Sequence, residues 1–374
     1  MFKKILPAFL LIITVVLFFL DINPPSDSSS SYEEVLEATV VELTTSEQQE
    51  TVDGPQYYQV LQMEVTRGSL KGEIVEVENG IMPSIYSQEY KLGDRLVLLK
   101  SASGYDENIF AIVDTVRRPL LFWLFLLFIA VVLVVSQKQG LRSLLGMVFS
   151  FFVLFRLVLP LILAGFSPVW AAILGSALII PASFYLSHGI NRKTTVAILG
   201  TLVTLILTGL LAGLFANWGS LTGLADEAAS FLKSDTGERI NFQGLLLAGV
   251  LISMLGVLDD VSISQASVAE QLQGAKENIS FFELYKRTMS VGKDHIASMV
   301  NTLVLVYTGA SLPLLLLFID HSHSFYEVLN YEFVAEEIIQ TLVGSIGLIL
   351  TVPITTLFAC TKISTFKSLN LRRQ

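Results

Sequence analysis

Two hydrophobic rhythms divide this chain. Eight apolar runs stand out, roughly Ile5–Leu20, Pro119–Val135, Leu144–Gly165, Pro168–Leu186, Thr195–Phe215, Phe242–Leu258 or somewhat beyond, Ile296–Ile319 and Ile338–Cys360. A hydrocarbon core about 30 Å thick takes about 20 such residues as a helix, so each run is expected to span a membrane. Between the first two runs the rhythm shortens to two. Leu61, Met63 and Val65 alternate with Gln62, Glu64 and Thr66, and Val75 and Val77 alternate with Glu76 and Glu78. This is the pattern of strands with one wet face. Lys91-Leu92-Gly93-Asp94 reads as a turn into a strand at Arg95–Leu99, and Val35–Leu43 and Ile109–Val113 supply two more. Five short strands in so few residues predict a small barrel of the OB or SH3-like kind.

The expected fold is therefore an all-α polytopic membrane bundle of about eight transmembrane helices carrying a small extracytoplasmic β-barrel-like domain. Residues 1–21 form an N-terminal transmembrane anchor and 22–34 a polar linker. The β domain occupies 35–116, and a seven-helix membrane domain with a cytoplasmic C-terminal tail occupies 117–374. Lys3 and Lys4 precede the first run as in a signal peptide, but Phe18-Phe19-Leu20-Asp21 offers no small-residue cleavage pattern, so an uncleaved anchor is expected.

Composition removes whole classes of function. The chain is 52% apolar and 15% charged, where soluble domains carry about a quarter charged residues. Of its 33 carboxylates, 18 fall between Asp21 and Asp114, against five basic residues there. That acidity repels phosphates, so no nucleic-acid partner is expected of the β domain. A single cysteine, Cys360, cannot form an internal disulfide. Basic residues favour cytoplasmic loops. With the N-terminus inside, the inner segments hold 14 lysines and arginines, and the outer loops after the fifth and seventh runs hold Lys233 and Arg239. Both termini are thus expected in the cytoplasm; Arg117 and Arg118 run against the rule.

The chemistry worth following lies inside the apolar runs. Asp259 and Asp260 follow 15 apolar residues without a loop signal, and the helical pattern continues past them. A carboxylate within a spanning helix costs a few kcal/mol and normally faces protein or water. The pair is either a hydrated cytoplasmic lip or a proton- or cation-coupling site. Asp260, Ser264 and Ser267 share one helical face, and Asp259 and Ser262 the next. The seventh run opens with Lys293, Asp294 and His295, and Asp294, Ser298, Asn301 and Thr308 form one polar stripe. That stripe either packs against another helix or lines a polar pathway shared with the sixth run, in which case Lys293 or His295 pairs with Asp259 or Asp260. Arg156, about 12 residues into the third run, needs a partner, a cavity or a route to the interface. Asp320-His321-Ser322-His323 has ligand residue types, but H-x-H alone defines no metal site, and none is expected. Pro313 and Pro353 are expected to bend the last two helices, and Gly344, Ser345 and Gly347 to allow close helix approach. No phosphate-binding P-loop occurs, so no ATP site is expected in this chain, nor any cofactor. No H-E-x-x-H or G-x-S-x-G occurs either, and the chain is not expected to be an enzyme.

Several of these segments carry a resemblance. Gly256–Ala266, Val291–Leu303 with Gly309–Leu314, Ser187–Thr194, and Gly344–Gly347 with Val352–Thr356 are similar to the YibE/F family of bacterial multi-pass membrane proteins over about residues 120–360. The resemblance implies a bacterial inner or plasma membrane address and no established activity. The helix carrying Gly-x-x-Asp-Asp is also similar to the proton-relay region of resistance-nodulation-division transporters, with one residue fewer between Gly256 and Asp259. There, carboxylates at this position carry protons. The function expected is a proton- or cation-coupled transporter or transport subunit; the rival is a membrane scaffold whose outer domain docks a partner. Expected partners are the lipid bilayer and a second similar membrane protein or further copies of the chain.

Overall fold

The computed structural model describes residues 34–51, 54–80, 88–101, 109–276, 278–313, 316 and 325–361. Packing divides the chain into two units, with the boundary between Val131 and Val132.

The first unit is a curled antiparallel sheet together with residues 118–131 of the helix that follows it and crosses the boundary. Its strands are β1 (Glu34–Thr51), β2 (Gly54–Arg67), β3 (Ile74–Asn79), β4 (Arg95–Ser101) and β5 (Ile109–Thr115), in the order β3-β2-β1-β4-β5. Alternation decides the inside: Leu36, Ala38 and Val40, then Leu61, Met63 and Val65, then Val75 and Val77, then Leu96 and Leu98 bury one continuous core. Register shifts along β1 and at Val97/Leu98 of β4 curl the sheet. No ladder joins β3 to β5 among the described residues, so the expected barrel is a half-barrel. The turn before β4 forms where its glycine requires it. Gly93 takes φ +90°, and Lys91 N donates to Asp94 Oδ2 at 2.8 Å. Gln59, fully buried on β2, pins the preceding segment: its Nε2 donates to Tyr90 O at 3.0 Å, and Tyr90 N donates to its Oε1 at 2.9 Å.

The second unit is helical. Helix α1 (Arg118–Val153) leads through a π-helical turn (Leu154–Val158) into the short α2 (Leu159–Leu163). Pro160 explains the turn, because it lacks an N–H and its ring crowds the carbonyl four residues back, at Arg156. Then come α3 (Pro168–His188), α4 (Arg192–Trp218), α5 (Glu227–Thr236), α6 (Phe242–Ala275), α7 (Phe281–Ala310), α8 (Phe325–Val328) and α9 (Glu332–Cys360). Side-chain caps start the long ones: Asn191 Oδ1 accepts from Thr194 N at 2.8 Å, and Asn241 Oδ1 from Gly244 N at 2.7 Å. Helix α6 is central, packing against α3, α4, α7 and α9.

Among the described residues, five helical stretches are long and apolar enough to cross a membrane: Arg118–Leu163, Pro168–His188, Arg192–Trp218, Phe242–Ala275 and Glu332–Cys360. Eight were expected, and the difference has three sources. The Ile5–Leu20 run lies outside the described residues. The second and third runs fall in one 46-residue stretch, which breaks at Gln137 with φ 48° and ψ −126°. At 1.5 Å per residue that stretch is about 69 Å long, more than twice the hydrocarbon thickness. The seventh run begins on α7, whose charged first turns and polar stripe keep it below the apolarity of the other five, and its last residues pass out of the described region.

Candidate functional site

Asp259 sits 18 residues into the 34-residue α6, at the helix's middle and about 26 Å from its first turn. The rotation of α6 fixes what each polar neighbour meets. Leu258, Val261, Ser262 and Gln265 are buried. Asp259, about 100° around from Leu258, is half-buried and turned to α3, where Ser183 hydrogen-bonds its carboxylate. Its Oδ1 is shut off from solvent and has no hydrogen-bond partner. A cavity of about 280 Å³ opens beside it, walled by α1, the π-helical turn, α3 and α6. Asp260 points another 100° around and is exposed, within electrostatic reach of His188, which also feels Lys193. The two aspartates therefore part company: one looks into the protein, the other outward.

Lys293, Asp294 and His295 are exposed on α7. Among the described residues no ion pair joins Lys293 or His295 to Asp259 or Asp260, the pairing that a polar pathway shared with the sixth run would bring. The reason is rotational. Leu284, Thr288, Gly292 and Leu303 form the buried face of α7, and Gly292 lies against Gln265 of α6 and Val352 of α9. Asp294 is about 200° around from Gly292, so its stripe turns away from α6. Ser298 and Asn301 are exposed and Thr308 is half-buried, and Ser264 is exposed as well. Arg156 falls in the π-helical turn, half-buried and engaged by a neighbour. Asp320–His323 lie outside the described residues.

The polar interior is built instead from hydroxyls that the sequence does not advertise. Thr201, Thr204 and Thr208 of α4, Ser262 of α6, and Thr351, Thr355 and Thr356 of α9 are fully buried. Thr201 Oγ1 lies 2.7 Å from Ser262 Oγ, which Thr355 Oγ1 approaches at 3.5 Å. Gln265 Nε2 donates to Thr356 Oγ1 at 2.8 Å and to Thr288 O at 3.0 Å, linking α6 to α9 and α7. Glycines bring the helices together: an added Cβ at Gly200 would fall on Thr355 Oγ1, and one at Gly347 on Thr208 Oγ1. The usable signal is spacing, since threonines recur at 194, 201, 204 and 208 along α4. Arg192 closes one end of the bundle, donating to Gln273 Oε1 at 3.0 Å and to the carbonyls of Ala359 at 3.1 Å and Thr361 at 2.8 Å. Toward the opposite ends of α6 and α9 a second cavity of about 640 Å³ is bordered by Asp226, Glu336 and Glu337, with Glu336 Oε1 buried and unpartnered.

An N-terminal curled sheet followed by helices of this length and apolarity defines a membrane protein. Residues 124–365 match the YibE/F-like protein family, and residues 31–113 match the YibE/F family N-terminal domain. The chain belongs to the YibE/F family. Among curated proteins and among solved structures, none matches it.

Proposed function

We propose that this chain is a proton- or cation-coupled transporter, or a subunit of a transport complex, with Asp259 as its coupling carboxylate. The observation that carries the reading is the unpartnered Oδ1 of Asp259, buried beside a cavity at the middle of the longest core helix. A carboxyl kept only for structure would have both oxygens satisfied, because an unsatisfied buried acceptor costs about 1–3 kcal/mol. Asp260, His188 and Lys193 form the water-facing relay beside it, and the hydroxyl column between α4, α6 and α9 gives the surrounding helices polar contacts. The chain moves a solute or ion and makes no covalent change in it. Its address in this reading is the bacterial cell membrane, with both termini cytoplasmic and the half-barrel outside.

Purified full-length protein in proteoliposomes under an imposed pH gradient tests it. Wild type is expected to pass protons in step with a solute gradient. Asp259→Asn is expected to abolish that flux while inserting normally, and Asp260→Asn to reduce it only partly. Undiminished flux in Asp259→Asn would remove the coupling role. A second reading, a membrane scaffold, is favoured by one feature: the exposed Lys293–Asp294–Ser298–Asn301 face of α7, which suits a polar partner helix from a second membrane protein or a second copy of the chain.

A further inference from the structure

The cavity beside Asp259 has a composition that a proton alone does not explain. Its walls are apolar: Met147, Phe151 and Leu154 on one side, Ile180, Ile252 and Leu255 on the other. Its polar groups are few. Ser150 is committed to its own helix, donating to Gly146 O at 3.0 Å, and Ser183 is spent on Asp259. That leaves the Asp259 carboxylate as the charged group on the wall, with no cationic side chain among the described residues that border the cavity. Gly256 keeps the space open from α6, since a Cβ added there would meet nothing within 4 Å.

The cavity is open at the exposed Phe151 and Gly256, so an occupant can enter it. A hard metal ion is a poor one. Calcium takes about six to eight oxygens, this cavity offers one carboxylate, and the described residues contain no group of three or more His, Cys, Asp or Glu placed to hold a metal. An anion meets only repulsion. A lipid tail fills the volume but leaves the carboxylate without a counter-charge, and a phospholipid headgroup brings a phosphate against it. An ammonium group on an apolar body satisfies both halves, with N–H donated to the Asp259 carboxylate and the body against the walls. Binding pockets for small molecules run roughly 300–1,000 Å³, so about 280 Å³ suits a small amine.

Resting on the coupling role given to Asp259 above, we infer that this cavity binds a small organic ammonium ion with an apolar body, and that such cations are the solutes exchanged against the proton. One carboxylate can hold either partner. When the ammonium enters, the carboxyl O–H breaks, its proton leaves to water, and a charge-assisted N–H···O bond replaces it.

The test is a calorimetric titration of n-hexylammonium into the full chain in lipid nanodiscs, with empty nanodiscs as the partition blank. Saturable binding at about one site per chain is expected. 1-Hexanol, the body without the charge, and methylammonium, the charge without the body, should each bind at least about tenfold more weakly. Asp259→Asn should lose about tenfold or more, as expected for a hydrogen bond to a charged group. Gly256→Leu, which adds bulk where the helix has room, should block binding with Asp259 in place, and it carries the test if Asp259→Asn fails to accumulate. No saturable heat above the blank, or equal binding by wild type and both variants, overturns the inference. If the amine fails to bind but proton flux still dies with Asp259→Asn, the solute class is wrong and the coupling site stands. If the amine binds through Asp259 while flux is unaffected, the cavity is right and the transport reading falls.

Discussion

The half-barrel and the helical unit use apolar residues in opposite ways. In the half-barrel, Leu61, Met63 and Val65 are inside and Glu64 is outside, as water demands. In the helical unit, Leu210 of α4 is 66% exposed, while Thr201, Thr204 and Thr208 of the same helix are fully buried. Lipid is as apolar as leucine, so leucine gains little by turning inward. Hydroxyls and glycines gain close packing and hydrogen bonds there. Hydrophobicity marks the core of the first unit and the outer face of the second.

Paired substitutions can break or sharpen that contrast. The largest difference is expected between Leu61→Ala and Leu210→Ala. The first opens a cavity in a water-surrounded core and should cost about 2–5 kcal/mol, read as denaturant unfolding of a fragment covering residues 32–116. The second should leave the thermal stability of the full chain nearly unchanged. Equal losses would mean that α4 is rotated the other way. Next come two glycines. Gly347→Ala drives a methyl onto Thr208 and should cost about 1–3 kcal/mol, whereas Gly256→Ala, with open space around it, should be neutral or slightly stabilising; both read as melting temperature in lipid. A smaller effect is expected at the exposed α7 face. Asn301→Leu should leave folding intact and weaken association of the chain with a partner helix by about 1 kcal/mol, measured as the shift in the monomer–oligomer balance with dilution in bilayers. No shift would count against the scaffold reading.

The smallest concerns charge on the half-barrel. Ser69 N and Oγ both donate to the Glu34 carboxylate, at 2.8 and 2.5 Å, and hold its pKa below the ordinary value of 4.5. A depressed folded pKa stabilises the fold above the unfolded value, and this is lost as pH falls through the folded one. The fragment should therefore weaken on the acid side of 4.5, and Glu34→Gln should flatten that slope. An unchanged acid profile would show that the exposed pair is screened to nothing.

What the sequence makes legible follows from the same contrast. The strands, the Gly93 turn and the buried set of the half-barrel can be read residue by residue, because period-two alternation carries burial directly. Closure into a barrel cannot, since it depends on bulges in β1 and β4. In the helical unit, Asp259 is visible as a charge in an apolar run, but the part it plays against Asp260 is not. That depends on which face of α6 meets α3. Pairing Lys293 or His295 with the aspartates follows from charge alone; the small residues Thr288 and Gly292 set the rotation of α7 and turn those charges away. The threonine column escapes a search for apolar periodicity because threonine offers too little contrast with its neighbours.

The coupling role proposed for Asp259 requires it to be the proton-exchanging carboxyl of the pair. Infrared difference spectra of the full chain in lipid, with isotope-labelled aspartate and a pH step, observe that group directly. A protonated-carboxyl C=O band is expected in wild type, retained in Asp260→Asn and lost in Asp259→Asn. A band that follows Asp260 instead, or no such band because both carboxylates ionise as they do in open water, would contradict it.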